Sequence, residues 1–100
     1  MSDCIWIHYA RPRPHCGLDE GAQRQKQAAW RAVADASKKA GGTCHGRYHV
    51  RGQHDFETVE TWSFPDAEAA FRHWAELTAA GYGECNAFAN NIGLSVEAPR

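Results

Sequence analysis

The chain has 100 residues, 43% of them hydrophobic, and a formal net charge of -1; that is enough for a single domain, residues 1–100, with one modest core. The near-neutral balance gives no reason to expect nucleic acid or an acidic membrane surface as a partner. No apolar run approaches the roughly 18 residues that a membrane span requires. The start, Met1-Ser2-Asp3-Cys4, lacks the basic and apolar stretches of a leader, so a cytoplasmic location is expected. The cysteines Cys4, Cys16, Cys44 and Cys85 contain no Cys-x-x-Cys pair. They are expected as free thiols, with no structural zinc and no other metal site.

Cys4 to Ala10 (CIWIHYA) is rich in β-formers and reads as a strand. Arg11 to Gly21 carries two prolines and two glycines and is a long loop, either the mouth of a site or a plain connector. From Ala22 to Ala40 apolar residues recur at helical spacing: Ala22, the Lys26 stem, Ala29, Trp30, Val33, Ala36 and Ala40. Asp19 is the expected N-cap, Lys38 and Lys39 suit the C-terminal end of the helix dipole, and Gly41-Gly42 end the helix. A second strand is expected at Thr43 to Arg51, a turn at Gly52 to Asp55, and a third strand at Phe56 to Phe64.

Pro65-Asp66 opens a second helix whose apolar stripe is Ala67, Ala70, Phe71, Trp74, Leu77 and Gly81, with His73 on its flank and partly exposed. Glu84 to Asn90 is compatible with one more helical turn, and Ile92 to Glu97 with a short last strand. Ala28 to Ser37 aligns with Ala69 to Thr78, an echo between the two helices. The order β-α-β-β-α-β with paired helices predicts an α+β, ferredoxin-like domain: an antiparallel sheet with both helices on one face.

In that plan strands 1 and 3 are central and strand 2 is an edge. Strict alternation on strand 2 sets Cys44, Tyr48 and Val50 on one face and His45, Arg47, His49 and Arg51 on the other. Two readings fit such a basic face: an edge protected by charge, or a cationic groove for an anionic ligand. His45 and His49 are about 13 Å apart along a flat strand, too far to share a metal ion. On strand 1, Ile5, Ile7 and Tyr9 oppose Cys4, Trp6, His8 and Ala10, which puts His8 near the core. A buried imidazole stays neutral near pH 7 and suits a general base as well as a satisfied core group. On strand 3, Phe56, Thr58, Glu60 and Trp62 share one face; Glu60 needs a cation or a raised pKa if covered, or else points to solvent.

The run Val59-Glu60-Thr61-Trp62-Ser63-Phe64-Pro65-Asp66 followed by Ala70-Phe71-Arg72-His73-Trp74 resembles the dimeric α/β-barrel superfamily, including its antibiotic-biosynthesis-monooxygenase-like domains. Ala80-Gly81-Tyr82-Gly83 to Asn90-Asn91-Ile92-Gly93 is similar to small members of the same fold. The resemblance implies a homodimer and a small-molecule pocket between sheet and helices. In haem-degrading members a tryptophan on helix 2 pairs with a histidine further on; Trp74 matches the tryptophan, but Glu84 stands near the histidine's place.

These residues give a first expectation of a small-molecule-binding dimeric α/β-barrel protein. It would act as a cofactor-independent monooxygenase, isomerase or cyclase on a small aromatic or polyketide-like substrate. His8 and Tyr82 are the expected catalytic groups, and Trp6, Trp62, Trp74, His73 and Asn90 the substrate-binding ones, with no cofactor. The alternatives are a non-enzymatic ligand binder of the same fold, and a metal or haem protein assembled from distant histidines and cysteines.

Overall fold

The computed structural model describes residues 4–13, 19–52 and 55–95. Seven elements follow in order: β1 (Cys4–Pro12), α1 (Glu20–Lys39), β2 (Thr43–His49), β3 (Thr58–Phe64), α2 (Ala67–Ala79), α3 (Tyr82–Cys85) and β4 (Asn86–Leu94). The sheet is antiparallel, ordered β2-β3-β1-β4, with β1 and β3 central and β2 at an edge. This is the ferredoxin-like arrangement read from the element order. Both long helices begin at aspartates. Asp19 accepts from the Ala22 N–H at 2.7 Å and Asp66 from the Ala69 N–H at 2.8 Å, each satisfying a donor the first helical turn leaves free.

The helix-covered face carries Cys4, Trp6, His8 and Ala10 from β1 with Phe64, Trp62, Glu60 and Thr58 from β3, paired in that order. The core is the cluster of Cys4, Trp6, Trp62, Phe64, Ala70 and Leu77. Burying the Trp6 and Trp62 side chains is worth roughly 2–3 kcal/mol each or more, so these rings dominate the core energetics. The opposite face presents Ile5, Ile7 and Tyr9, with no element across it among the described residues; Ile5 remains 44% exposed.

Four expectations need correction. First, strict alternation fails on β2. Cys44 pairs with Trp62 but Gly46 with Thr61, so a bulge puts His45 and Gly46 opposite one residue. Gly46 sits at φ 144°, where a side chain is strained. Beyond the bulge Arg47 and His49 lie on the helix face with Cys44, whereas His45 reaches Ser63 Oγ on the open face at 2.6 Å. The four basic side chains therefore do not share a face.

Second, the inward stripe of α2 is Ala70, His73, Trp74 and Leu77; Phe71 is 61% exposed and His73 only 2%. On α1 the residues turned inward include Trp30, Val33, Ala34 and Ser37, while Ala29, Ala36 and Ala40 are exposed. The sequence echo thus set the helices one residue out of facing register, because it matched Trp30 to Phe71 by aromaticity.

Third, Glu84–Asn90 is not a helical turn. α3 ends at Cys85 and β4 runs from Asn86, so Asn90 is a strand residue paired with His8. Gly81, at φ 80°, turns the chain from α2 into α3. Fourth, Cys85 is disulfide-bonded, while Cys4 and Cys44 are free. Spacing rules for metal pairs carry no information about which loops meet in space. Cys16 and most of the loop around it, and the end of the proposed last strand at Glu97, lie outside the described residues.

Candidate functional site

Strand register brings four side chains into one row on the helix face. Arg47 on β2 pairs with Glu60 on β3, Glu60 with His8 on β1, and His8 with Asn90 on β4. A parallel row, Cys44, Trp62, Trp6 and Ile92, is apolar and forms the adjacent floor. The polar row thus has an aromatic wall along one side.

Asn90 Oδ1 lies 2.5 Å from His8 Nδ1. An amide oxygen only accepts, so Nδ1 carries the proton and Nε2 the lone pair. The Tyr82 hydroxyl then donates to Nε2 at 2.8 Å. The chain Tyr82–His8–Asn90 is therefore oriented, with the basic nitrogen under a phenol. Burial is the largest influence on His8 and lowers its pKa, against the Asn90 bond and the nearby Glu60 charge, which raise it. Its ring is accordingly neutral near pH 7. Burial pushes Tyr82 up to about 12, assisted by Glu60, so it keeps its proton. Glu60 is fixed by a 2.6 Å bond that its Oε1 accepts from Trp62 Nε1–H.

Above the row lies a cleft of about 660 Å³. α1 lines it with Lys26, Trp30 and Arg31, α2 with His73 and Leu77, and the sheet with Trp6, His8, Arg47 and Glu60. Tyr82 and Cys85 stand at the α3 end. Trp30 donates its indole N–H to the Ala80 carbonyl at 3.1 Å and meets the Tyr82 ring edge-on at 5.0 Å. Trp6 stacks on His8 with ring centroids 4.7 Å apart. Two buried polar atoms beside the cleft, Trp6 Nε1 and His73 Nε2, have no hydrogen-bond partner among the described residues. His73 Nδ1 is paired with Ser37 Oγ at 2.6 Å, and burial lowers its pKa to about 4.

The structure brings His8, Tyr82 and Asn90 into direct contact and sets Trp6 and His73 along the cleft. Trp62 lies beneath, serving Glu60. Trp74 packs against Phe88, with centroids 4.4 Å apart, and is not part of the cleft lining. Sequence reasoning missed Trp30 and Arg31 as cleft residues, offered Arg47 only as part of a basic face that was either a protected edge or an anion groove, and left Glu60 open. Strict alternation turned Arg47 the wrong way, and only the cross-strand register reveals the row.

Glu84, at the place where the resemblance puts a haem-binding histidine, is ion-paired with Lys26 at 3.0 Å and largely exposed. Among the described residues no group of three or more His, Cys, Asp or Glu is placed to hold a metal ion. The donor set does not fit the haem arrangement.

No protein-family model matches the chain, and no curated protein matches it in sequence. Solved structures do. A DABB family protein with a ferredoxin-like fold from Mesorhizobium loti superposes with a TM-score of 0.65 at 10% identity, over 97% of this chain and 100% of that one. A chlorite dismutase-like protein gives 0.71 at 10% identity over 94% of this chain but only 44% of its own, so this chain spans less than half of it. A NIPSNAP-like domain protein from Burkholderia xenovorans gives 0.51 at 18% identity, over 99% and 90%. Likeness at such identities shows the fold alone, and that fold is ferredoxin-like. No helix among the described residues is long and apolar enough to cross a membrane.

Proposed function

We propose that this chain is a homodimeric enzyme of the cofactor-independent kind, an isomerase, cyclase or monooxygenase, moving a proton on a small aromatic or polyketide-like substrate in the cleft. The observation that carries the reading is the oriented chain Tyr82–His8–Asn90 beneath that cleft. His8 Nε2 takes an acidic proton from substrate carbon or oxygen, and Asn90 holds the resulting imidazolium through Nδ1–H. Tyr82, freed from Nε2, turns its hydroxyl to the substrate oxygen on which negative charge collects. Return of the proton to another carbon gives isomerisation. Attack of the carbanion on a second carbonyl of the substrate, whose oxygen then takes the proton, gives ring closure. In a monooxygenase molecular oxygen takes four electrons from a substrate methylene group, leaving one oxygen atom as C=O and the other as water. Trp6 and Trp30 provide the apolar contact such substrates need. The open face with Ile5, Ile7 and Tyr9 supports pairing of two copies sheet to sheet. The Cys85 disulfide favours an oxidising compartment over the cytoplasmic location expected from the sequence, since such bonds persist there.

The test is solvent deuterium exchange into the methyl group of acetophenone, followed by NMR, on protein whose mass in the native spectrometer is that of a dimer. Wild type should exceed buffer, and His8→Ala should lose about 10²-fold or more of that excess. Exchange untouched by His8→Ala, or a monomer mass, would sink the corresponding part. The engagement of Nε2 by Tyr82 favours one other reading, a carrier in which His8 only shapes the cleft. In that case binding occurs without exchange and is flat with pH across the histidine range.

A further inference from the structure

The chain as a whole is slightly acidic, with a formal net charge of -1. The cleft is the reverse: Arg13, Lys26, Arg31 and Arg47 line it against Glu60 alone among the described residues. Two of the cations are already engaged. Lys26 is ion-paired with Glu84 at 3.0 Å, and Arg13 donates from Nε to the Gly83 carbonyl at 3.0 Å. Arg31 and Arg47 make no ion pair or side-chain hydrogen bond among the described residues. They come from neighbouring elements, α1 and the edge strand β2.

Arg47 is there because of the bulge. An unbroken strand would turn it to the open face, since side chains alternate. The doubled residue at His45–Gly46 reverses the alternation and sets Arg47 in the row with Glu60 and His8. The bulge needs the φ of 144° at Gly46, and a Cβ there would meet the Tyr48 hydroxyl at 2.6 Å.

From these observations we infer that the ligand of the cleft is an anion, a carboxylate on an aromatic or polyketide-like body, held by Arg47 and Arg31. This deepens the proposed function and rests on its reading of the cleft. A guanidinium matches a carboxylate through two parallel hydrogen bonds. Arg47 and His8 stand two strands apart, about 10 Å at ordinary sheet spacing, which is room for one ring between the anion and the reacting group. Glu60, the one acidic side chain facing the ligand, is tied down by Trp62, so the anion belongs at the arginine end. His8 and Tyr82 face the same space uncharged, and His73 does so too.

The test compares 4-acetylbenzoate with the neutral 4-acetylbenzamide by isothermal titration on the full chain. The acid should bind at least about tenfold more tightly than the amide. Arg47→Gln and Arg31→Gln should each weaken the acid about tenfold and leave the amide within about twofold, with Arg47→Lys recovering part of the loss. Both arginines are exposed, so these variants keep the fold. Equal binding of acid and amide, or acid binding indifferent to both substitutions, overturns the anion assignment while leaving the proton chemistry standing. Arginine-dependent acid binding without deuterium exchange supports the anion site and removes the chemistry. Binding of neither probe overturns both.

Discussion

α1 has 20 residues and none is fully buried, whereas α2 has 13 and sinks Ala70, His73 and Leu77 into the core. Both cover the same face of one sheet. α2 does so with residues that let it lie close: Ala70 and Leu77 belong to one buried cluster with Cys4, Trp6, Trp62 and Phe64. α1 instead presents Lys26, Trp30 and Arg31 toward a gap of about 660 Å³. One helix therefore acts as a clamp and the other as a roof. The difference shows how a short chain obtains a cleft: it leaves one helix short of full burial and lets its long side chains line the space.

Stability measurements can break that comparison. Leu77→Ala should cost about 2–5 kcal/mol, with Val33→Ala, half-buried on the roof helix, costing about 1 kcal/mol or less, both read from urea midpoints. Equal losses would mean that α1 carries as much of the core as α2. The next effect is a pH dependence centred on α2. His73 has its pKa lowered from 6.5 to about 4, so the unfolded chain binds more protons between those values. Its contribution is complete above pH 6.5 and is lost as pH falls toward 4, by up to about 3 kcal/mol. Denaturant midpoints of His73→Gln against wild type at pH 7 and pH 4.5 give the slope, and a variant with an unchanged slope would move the acid sensitivity to His8. The smallest effect is expected at Phe71→Ala: within about 0.5 kcal/mol, because its ring faces outward.

Much of the architecture was legible along the chain. Asp19 and Asp66 announce their helices through the donors they cap, and the alternation of β1 and β3 puts Trp6 on one face with His8, and Trp62 on one face with Glu60, as the register has them. What was not legible depends on register between elements. The facing of α2 favoured Phe71 over His73 on hydrophobicity, yet the histidine is accepted inside because Ser37 satisfies one ring nitrogen. The bulge at Gly46 leaves only a glycine as its trace, and glycine marks many other features. Within the site, His8, Tyr82 and Asn90 were accessible as separate candidates, and their contact needed β4 to begin at Asn86 instead of continuing a helix.

The row Arg47–Glu60–His8–Asn90 takes one residue from each of the four strands. A chain with either edge strand frayed has lost Arg47 or Asn90 while its central pair is intact. Occupancy of the cleft is then a report on assembly: a ligand that needs the whole row recognises only the finished sheet and fastens both edges by mass action. For a domain of this size, a compound bound across the whole row would be part of what holds it together.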